Sequence, residues 1–230
     1  MKNIYIISDV HGCYKSLLAL IDKLPNKKDS KIVFVGDLVD RGTNSYDVIK
    51  FVIDNNYDCV LGNHEKVFLE HAPMLKNDRQ NPSLAKWLFK NGGEETINSY
   101  TSKEEFYKQL DYLKTLPLYI EYKDYKTEDG RYLVVSHSSV GDTWELRNSK
   151  NEVNMKRFEN QLLWSRNRDF NNSKIFNIYG HTIYEEPDIT EYSAGIDLGC
   201  YHSKEKLPNP RLCALEFPTM KIYTQESLEA

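Results

Sequence analysis

Apolar residues recur along the chain in two alternating patterns. Short apolar runs at Asn3–Ser8, Lys31–Val35 and Tyr57–Leu61 read as buried strands. Each is followed by a polar loop and then by apolar positions at helical spacing, over Tyr14–Leu24, Ser45–Ile53 and Lys66–Leu75. Three strand–loop–helix units in succession predict an α/β architecture. From Asn77 to Thr115 the apolar positions Leu84, Trp87, Leu88 and Ile97, then Phe106, Leu110 and Leu113, keep three- and four-residue spacing and predict a helical insertion (about 77–115) over the rim of the sheet. Trp87 reads as core, with stacking on a substrate ring as the alternative.

The second half is strand-rich. Leu118–Tyr122 and Tyr132–Val135 read as a pair joined through Thr127–Gly130, and the runs Arg131–Ser136 and Lys174–Gly180 each lead into a histidine. Asp188–Ile196, Leu212–Phe217 and Met220–Tyr223 add strands, and Gln225–Ala230 reads as a frayed tail. The expected fold is two facing mixed β-sheets flanked by helices, in a single domain spanning residues 1–230.

Composition narrows the partners. A chain of 230 residues with 40% hydrophobic and 12% aromatic residues is that of a folded globular protein. The formal net charge of −4 predicts no general affinity for nucleic acid or acidic membranes, so any attraction of an anion must come from a local site. The N-terminal apolar run is too short for a signal-peptide core or a membrane span. Cys13, Cys59, Cys200 and Cys213 have neither Cys-x-x-Cys spacing nor disulfide-scaffold density, which fits a reducing, cytoplasmic location and argues against thiolate metal ligation.

The chemistry-bearing residues gather in the loops that follow the strands. Such loops lie at the carboxyl ends of an open α/β sheet, where ligands bind. In Gly36-Asp-Leu-Val-Asp-Arg-Gly42, Asp37 leaves the strand end with two oxygens able to bridge two cations, and Asp40 and Arg41 sit beyond it. Asp9 and His11 alternate in an extended segment and aim a carboxylate and an imidazole at one point. Gly62-Asn-His-Glu65 reads as the loop that ends the third strand. A sheet end that collects Asp9, His11, Asp37, Asp40, Asn63 and His64 requires a compensating cation or partner.

The motifs DVHG, GDLVDRG and GNHE, in this order and context, resemble those of the calcineurin-like metallophosphoesterases, and within them the phosphoprotein phosphatase group, which includes bacteriophage-type serine/threonine phosphatases and symmetrical diadenosine tetraphosphatases. With His137 and His181 as the downstream histidines the family pattern expects, the resemblance runs from about Ile4 to Gly199. It implies a metal-dependent hydrolase of phosphoric esters holding two divalent ions, manganese first and iron, zinc or nickel as alternatives. One ion would be bound by Asp9, His11 and Asp37, the other by Asp37, Asn63, His137 and His181. A metal-bridging hydroxide would attack phosphorus directly. His64 is then the candidate acid for the leaving group, oriented by Asp40, while Arg41 and Arg166 would hold phosphate oxygens, with Arg168 beside the latter.

The implied substrate is a phosphoprotein or a nucleotide. A serine/threonine phosphatase-like phosphomonoesterase is the leading expectation, a dinucleoside polyphosphate hydrolase the alternative, and a non-catalytic metal-bound scaffold a third. Three departures bear on the choice. Leu61 stands where many protein phosphatases of the group carry an arginine and resembles the tetraphosphatase branch, whereas Glu65 resembles the protein-phosphatase branch. His137-Ser-Ser139 replaces a common His-Ala-Gly. His71 and His202 match no motif and read as packing or surface residues, Cys13 as an inert thiol, and Asp197 either as a site-supporting residue or as a structural turn.

Overall fold

Strands β1 (Ile4–Ile7) and β2 (Lys31–Phe34) pair in parallel and carry side chains into two different cores. Alternate residues of a strand face opposite ways. Ile4, Ile6, Val33 and Val35 therefore enter the core between the two sheets, whereas Tyr5, Ile7, Ile32 and Phe34 pack beneath helices. Burial on both faces explains why these strands read as continuous apolar runs. The computed structural model describes residues 3–77, 81–167 and 171–229.

Helix α1 (Tyr14–Lys23) buries Leu17, Leu20 and Ile21, and α2 (Ser45–Asp54) buries Val48, Ile49 and Val52 against the outer face of the first sheet. The third strand, β3, is only Asp58–Cys59, shorter than the expected Tyr57–Leu61. Helix α3 (Asn63–His71) begins three residues earlier than expected, so Asn63 and His64 form its first turn instead of a loop. After α4 (Met74–Asn77), the insertion forms α5 (Pro82–Lys90), α6 (Gly93–Asn98) and α7 (Lys103–Leu113). Leu84, Trp87, Leu110 and Leu113 join Phe68 in the helix-covered core, and Trp87 is 1% exposed, which excludes it as a stacking surface.

The second sheet comprises β4 (Tyr119–Lys126), β5 (Tyr132–Ser136), β6 (Ile175–Tyr179), β7 (Asp188–Ile189) and β8 (Ser193–Gly195). The expected single strand over Asp188–Ile196 is a hairpin: Thr190 N–H donates to Ser193 O at 2.8 Å, turning the chain between β7 and β8. Between β5 and β6 lie a 3₁₀ helix (Gly141–Asn148) and α8 (Glu152–Trp164), which cover the outer face through Trp144, Phe158 and Leu162. Strands β9 (Arg211–Phe217) and β10 (Lys221–Glu226) return to the first sheet. The orders are β10-β9-β1-β2-β3 and β4-β5-β6-β8-β7, two mixed five-stranded sheets facing each other with helices outside.

The C-terminal segment departs from the expected frayed tail. Gln225 and Glu226 pair within β10, and Glu229 accepts the Lys15 and Ser16 amides of α1 at 2.6 and 3.1 Å. A carboxylate gains from free amide donors at a helix start. Among the described residues no helix is long and apolar enough to cross a membrane.

Ile178, fully buried between Val135 and Ala194 on neighbouring strands, tests the sandwich core. Ile178→Ala should cost about 3 kcal/mol, lowering the urea midpoint with an unchanged slope. Leu18→Ala, at a position 37% exposed, should stay within about 0.5 kcal/mol.

Candidate metal centre

The loop after β2 turns sharply because its backbone enters the left-handed region repeatedly. Asp37, Asp40 and Arg41 have φ of +49°, +68° and +72°, and His11 and His181 have +48° and +65°. Non-glycine residues take up this conformation only where their surroundings impose it, and such strain concentrates at functional sites. Here the imposing group is Glu65, fully buried in the first turn of α3. Its carboxylate accepts the amides of Asp37 (2.8 Å), Leu38 (2.7 Å), Val39 (3.2 Å) and Gly62 (2.9 Å). Burial, with Asp37 adding to it, raises its pKa, and the amide donors oppose the rise by favouring the ionised form.

Asp37 is clamped from one side only. Its Oδ1 accepts the His64 amide at 3.0 Å, and its Oδ2 lies 3.6 Å from His11 Nε2 and 3.5 Å from His137 Nε2. Burial alone would raise its pKa, but the His137, His64 and His11 imidazoles, in their protonated forms, hold it below the usual carboxylate range. His11 Nδ1 donates to Val39 O (2.8 Å) and His137 Nδ1 to Val35 O (3.0 Å), so in each neutral ring Nε2 is left as a lone pair facing Asp37. Burial keeps both rings neutral by lowering their pKa, that of His11 to about 3.

A second convergence surrounds His137. Its Nε2 lies 2.7 Å from Asn63 Oδ1, and His181 Nδ1 lies 3.1 Å from each. Both His137 Nε2 and Asn63 Oδ1 are acceptors, and one proton on His181 would still leave them facing each other. Burial and the adjacent His137 lower His181 to about 4. Lone pairs pressed together in this way fit a divalent cation, and the donors are the nitrogen and oxygen types that manganese, iron and zinc accept.

Asp9 lies beside these groups. Its carboxylate accepts the His181 amide, with oxygen distances of 3.2 and 3.1 Å, and a Cβ on Gly180 would sit 1.8 Å from Asp9 Oδ1, so only glycine fits there. Burial, then Asp197 and Asp37, raises Asp9 well above its ordinary value. Asp197, 2% exposed, is pushed up to about 7 by burial and accepts the Gly199 amide at 2.9 Å. Asp197 thus stands close enough to Asp9 to affect its charge, although it also serves its own turn.

His64 has a different environment. Its Nδ1 donates to Asp40 Oδ2 at 2.6 Å, and the same oxygen takes the Trp87 indole N–H at 2.9 Å. Asp40 Oδ1 accepts the Thr96 hydroxyl at 2.7 Å. Burial pulls the His64 pKa down, but Asp37 and Asp40 more than offset it and hold the ring above its ordinary value. His64 also offers a ring nitrogen within 4.8 Å of the His11 and Asp37 donors, a grouping that does not include Asp9.

The two arginines lie at the margin. Arg41 Nη1 donates to Lys90 O at 3.0 Å and its guanidinium sits 5.4 Å from the Tyr201 ring centroid, lining a cavity of about 400 Å³ with Phe89, Lys90 and Lys206. Its Nε is buried without a hydrogen-bond partner. Arg166 is exposed on the loop after α8, near enough to lower the pKa of both His181 and Asp197. Arg168 lies outside the described residues. His71 is a packing residue, bonded to Val67 O at 2.8 Å and Ser83 Oγ at 3.1 Å, and His202 stands beside Tyr201 in the cavity wall.

Sequence reading missed three contributors. Glu65 sits three residues after Gly62, the spacing by which a helix's first turn reaches back to its cap, and that signal was available. Thr96 and Tyr201, the latter 4.6 Å ring to ring from His11, carry no motif and become neighbours only through folding.

A family model described as calcineurin-like phosphoesterase matches residues 2–209. A symmetrical bis(5'-nucleosyl)-tetraphosphatase of Salmonella paratyphi B is 28% identical over 149 residues, 64% of this chain but 46% of that protein, so the match spans less than half of the relative's length. Among solved structures, a candidate diadenosine tetraphosphatase superposes with a TM-score of 0.64 at 20% identity, covering 100% of this chain and 95% of that one. A protein serine/threonine phosphatase from Saccharomyces cerevisiae gives 0.61 at 16% identity, covering 100% and 81%. At these identities the structures establish the shared fold.

Glu65→Gln keeps the side chain's size but turns an NH₂ toward an amide donor. It should lower the stability of the metal-free protein by about 2 kcal/mol, read from urea unfolding in the presence of a chelator.

Proposed function

The chain belongs to the calcineurin-like phosphoesterase family, and from that premise we propose that it hydrolyses phosphate esters at a centre of two divalent cations. The observation that carries this reading is Asp37 Oδ2 set between the unprotonated nitrogens of His11 and His137, at 3.6 and 3.5 Å. One carboxylate oxygen facing two sets of lone pairs is the arrangement a shared ligand requires. Asp9, His11 and Asp37 would hold one cation, and Asp37, Asn63, His137 and His181 the other. When bound, such a pair of cations supplies a nucleophile from water near neutral pH and offsets charge on the phosphoryl oxygens.

The chain's own groups do the rest. His11 and His137 are kept in the ligating tautomer by Val39 O and Val35 O. His64 retains its proton through Asp37 and Asp40 and presents it to the leaving oxygen, while Thr96 and Trp87 stop Asp40 from rotating away. Arg41, with its unpartnered Nε, and Arg166 supply positive charge for the non-bridging phosphate oxygens. Manganese is the proposed metal, with iron, zinc and nickel as alternatives that the same nitrogen and oxygen donors accept. The four free, buried cysteines support a reducing, cytoplasmic setting.

For substrate, the leading reading is a serine/threonine phosphatase-like phosphomonoesterase, supported by Glu65 in GNHE. Dinucleoside polyphosphate hydrolysis has equal support, from Leu61 and from the similarity to symmetrical tetraphosphatases. Comparison of kcat/KM for phosphoserine and phosphothreonine peptides and for diadenosine tetraphosphate, on one manganese-loaded preparation with a chelated control, decides between them. The leading reading expects a metal-dependent preference for the peptides. A preference for the dinucleotide establishes the second reading, and activity on neither sinks both.

The acid role of His64 is separable from ligation. His64→Ala should retain both cations and lose about 10²–10⁴-fold in kcat on alkyl phosphates, with a much smaller loss on p-nitrophenyl phosphate, whose leaving group needs little protonation. Loss of a cation by metal analysis would make His64 a ligand instead.

A further inference from the structure

Outside this centre, Cys13, Cys200 and Glu229 each bring one donor atom to within 4.8 Å of the others. Cys13 and Cys200 are 0% and 1% exposed and both belong to the helix-covered apolar core. The three residues come from distant parts of the chain. Cys13 is the N-cap residue of α1, Cys200 follows the bridges that Leu198 and Gly199 make to Arg211, and Glu229 belongs to the segment after β10.

The carboxylate is held in place independently of the thiols. Glu229 Oε1 accepts the Lys15 and Ser16 amides, using both of its lone pairs, and Oε2 accepts the Ser16 hydroxyl, leaving one lone pair on Oε2 uncommitted. Ser16 Oγ in turn accepts the Leu228 amide at 2.9 Å, which ties down the backbone that carries Glu229. A fixed oxygen thus stands within 4.8 Å of two sulfurs that belong to the apolar core.

We propose that Cys13, Cys200 and Glu229 form a third cation site, of two-sulfur, one-oxygen type, for a borderline-soft divalent ion of the zinc class. Thiolates select such an ion over magnesium, calcium or manganese, so the two sites take different metals from one pool. Binding is a proton exchange without redox: the ion forms two bonds to sulfur, each thiol releases its proton to solvent, and the Glu229 carboxylate supplies the third bond. Water fills the fourth tetrahedral position from the side of half-buried Glu229. The bound ion joins the C-terminal segment to the loop that carries His11. Cys13 stands two residues after His11, and Tyr201, next to Cys200, packs its ring 4.6 Å from that of His11. The site therefore acts on the proposed catalytic centre by positioning and touches no substrate.

Cobalt(II) titration of the full chain under thiol-free reducing conditions tests the assignment, because sulfur-to-cobalt charge transfer absorbs in the near ultraviolet and a centre of His, Asp and Asn donors produces none. The wild-type chain should show the band and bind three cobalt ions. Cys13→Ser/Cys200→Ser should lose the band and one equivalent, and Asp37→Ala should keep the band. Glu229→Gln should shift the titration midpoint of the band at least about tenfold to higher cobalt. Absence of the band in folded, cobalt-saturated wild type overturns the site, as does a band that survives the double substitution, which would assign it to Cys59 or Cys213. An unmoved midpoint in Glu229→Gln overturns the carboxylate's part.

Discussion

A buried carboxylate accepting four backbone amides organises the catalytic end of this protein. Glu65 draws together the loop after β2 and the start of α3, because the amides of Asp37, Leu38, Val39 and Gly62 all point at its two oxygens. Such donors are costly to bury unpaired. Their common acceptor is therefore what allows the chain to hold Asp37 in the left-handed region, while the amides of Asp40 and Arg41, also left-handed, are taken by Thr96 Oγ1 and Gly92 O. The same geometry turns Asp37 Oδ2 toward His11 and His137 while its Oδ1 is occupied by the His64 amide.

From that arrangement the electrostatics follow. Asp9, Asp37 and Asp197 are each 2% exposed and interact with one another, a concentration of negative charge that burial by itself penalises. Imidazoles beside them cannot compensate while burial keeps His11, His137 and His181 neutral. Exogenous positive charge resolves the conflict, which is why the donor set fits divalent ions. His64 alone among these rings is pushed toward its charged form, and it is the one whose outer nitrogen meets a carboxylate rather than a carbonyl. Protonation states are thus divided between neighbouring histidines by burial, which lowers His11, His137 and His181, and by the Asp37 and Asp40 carboxylates, which outweigh it at His64.

The helical insertion is part of this wall. Thr96 and Trp87 bind Asp40, Gly92 O accepts the Arg41 amide at 3.3 Å, and a Cβ on Gly92 (φ +89°) would lie 2.2 Å from that amide nitrogen. The insertion also helps wall the cavity that holds the Arg41 guanidinium. One segment therefore supports the His64–Asp40 pair, the proposed proton donor, and borders the space beside the proposed phosphate site. Changes there would reach chemistry and recognition together.

How much was legible in the sequence depends on how locally each feature is encoded. β1 and β2 were readable because burial on both faces leaves unbroken apolar runs, and α1 and α2 because one buried stripe repeats at helical spacing. Asp9, His11, Asp37, Asn63 and His64 were legible as a group because the strand–loop–helix units deliver their loops to one end of a sheet. β7 and β8 were misread as one strand because the turn between them, Thr190 to Ser193, lacks glycine and proline. Helix α8 was overlooked because its polar face dominates its composition. The first turn of α3 was read as loop because its stability comes from Glu65's backbone contacts. By itself, then, the chain's order of residues determined which loops carry ligand-type side chains and the faces on which its elements bury apolar surface, since both depend on neighbours within a few positions. Only the tertiary structure decided that His137 faces Asn63, that Thr96 and Trp87 hold Asp40, and that Cys13 meets Cys200 and Glu229, because those contacts join residues whose proximity exists only once the two sheets and the insertion have packed.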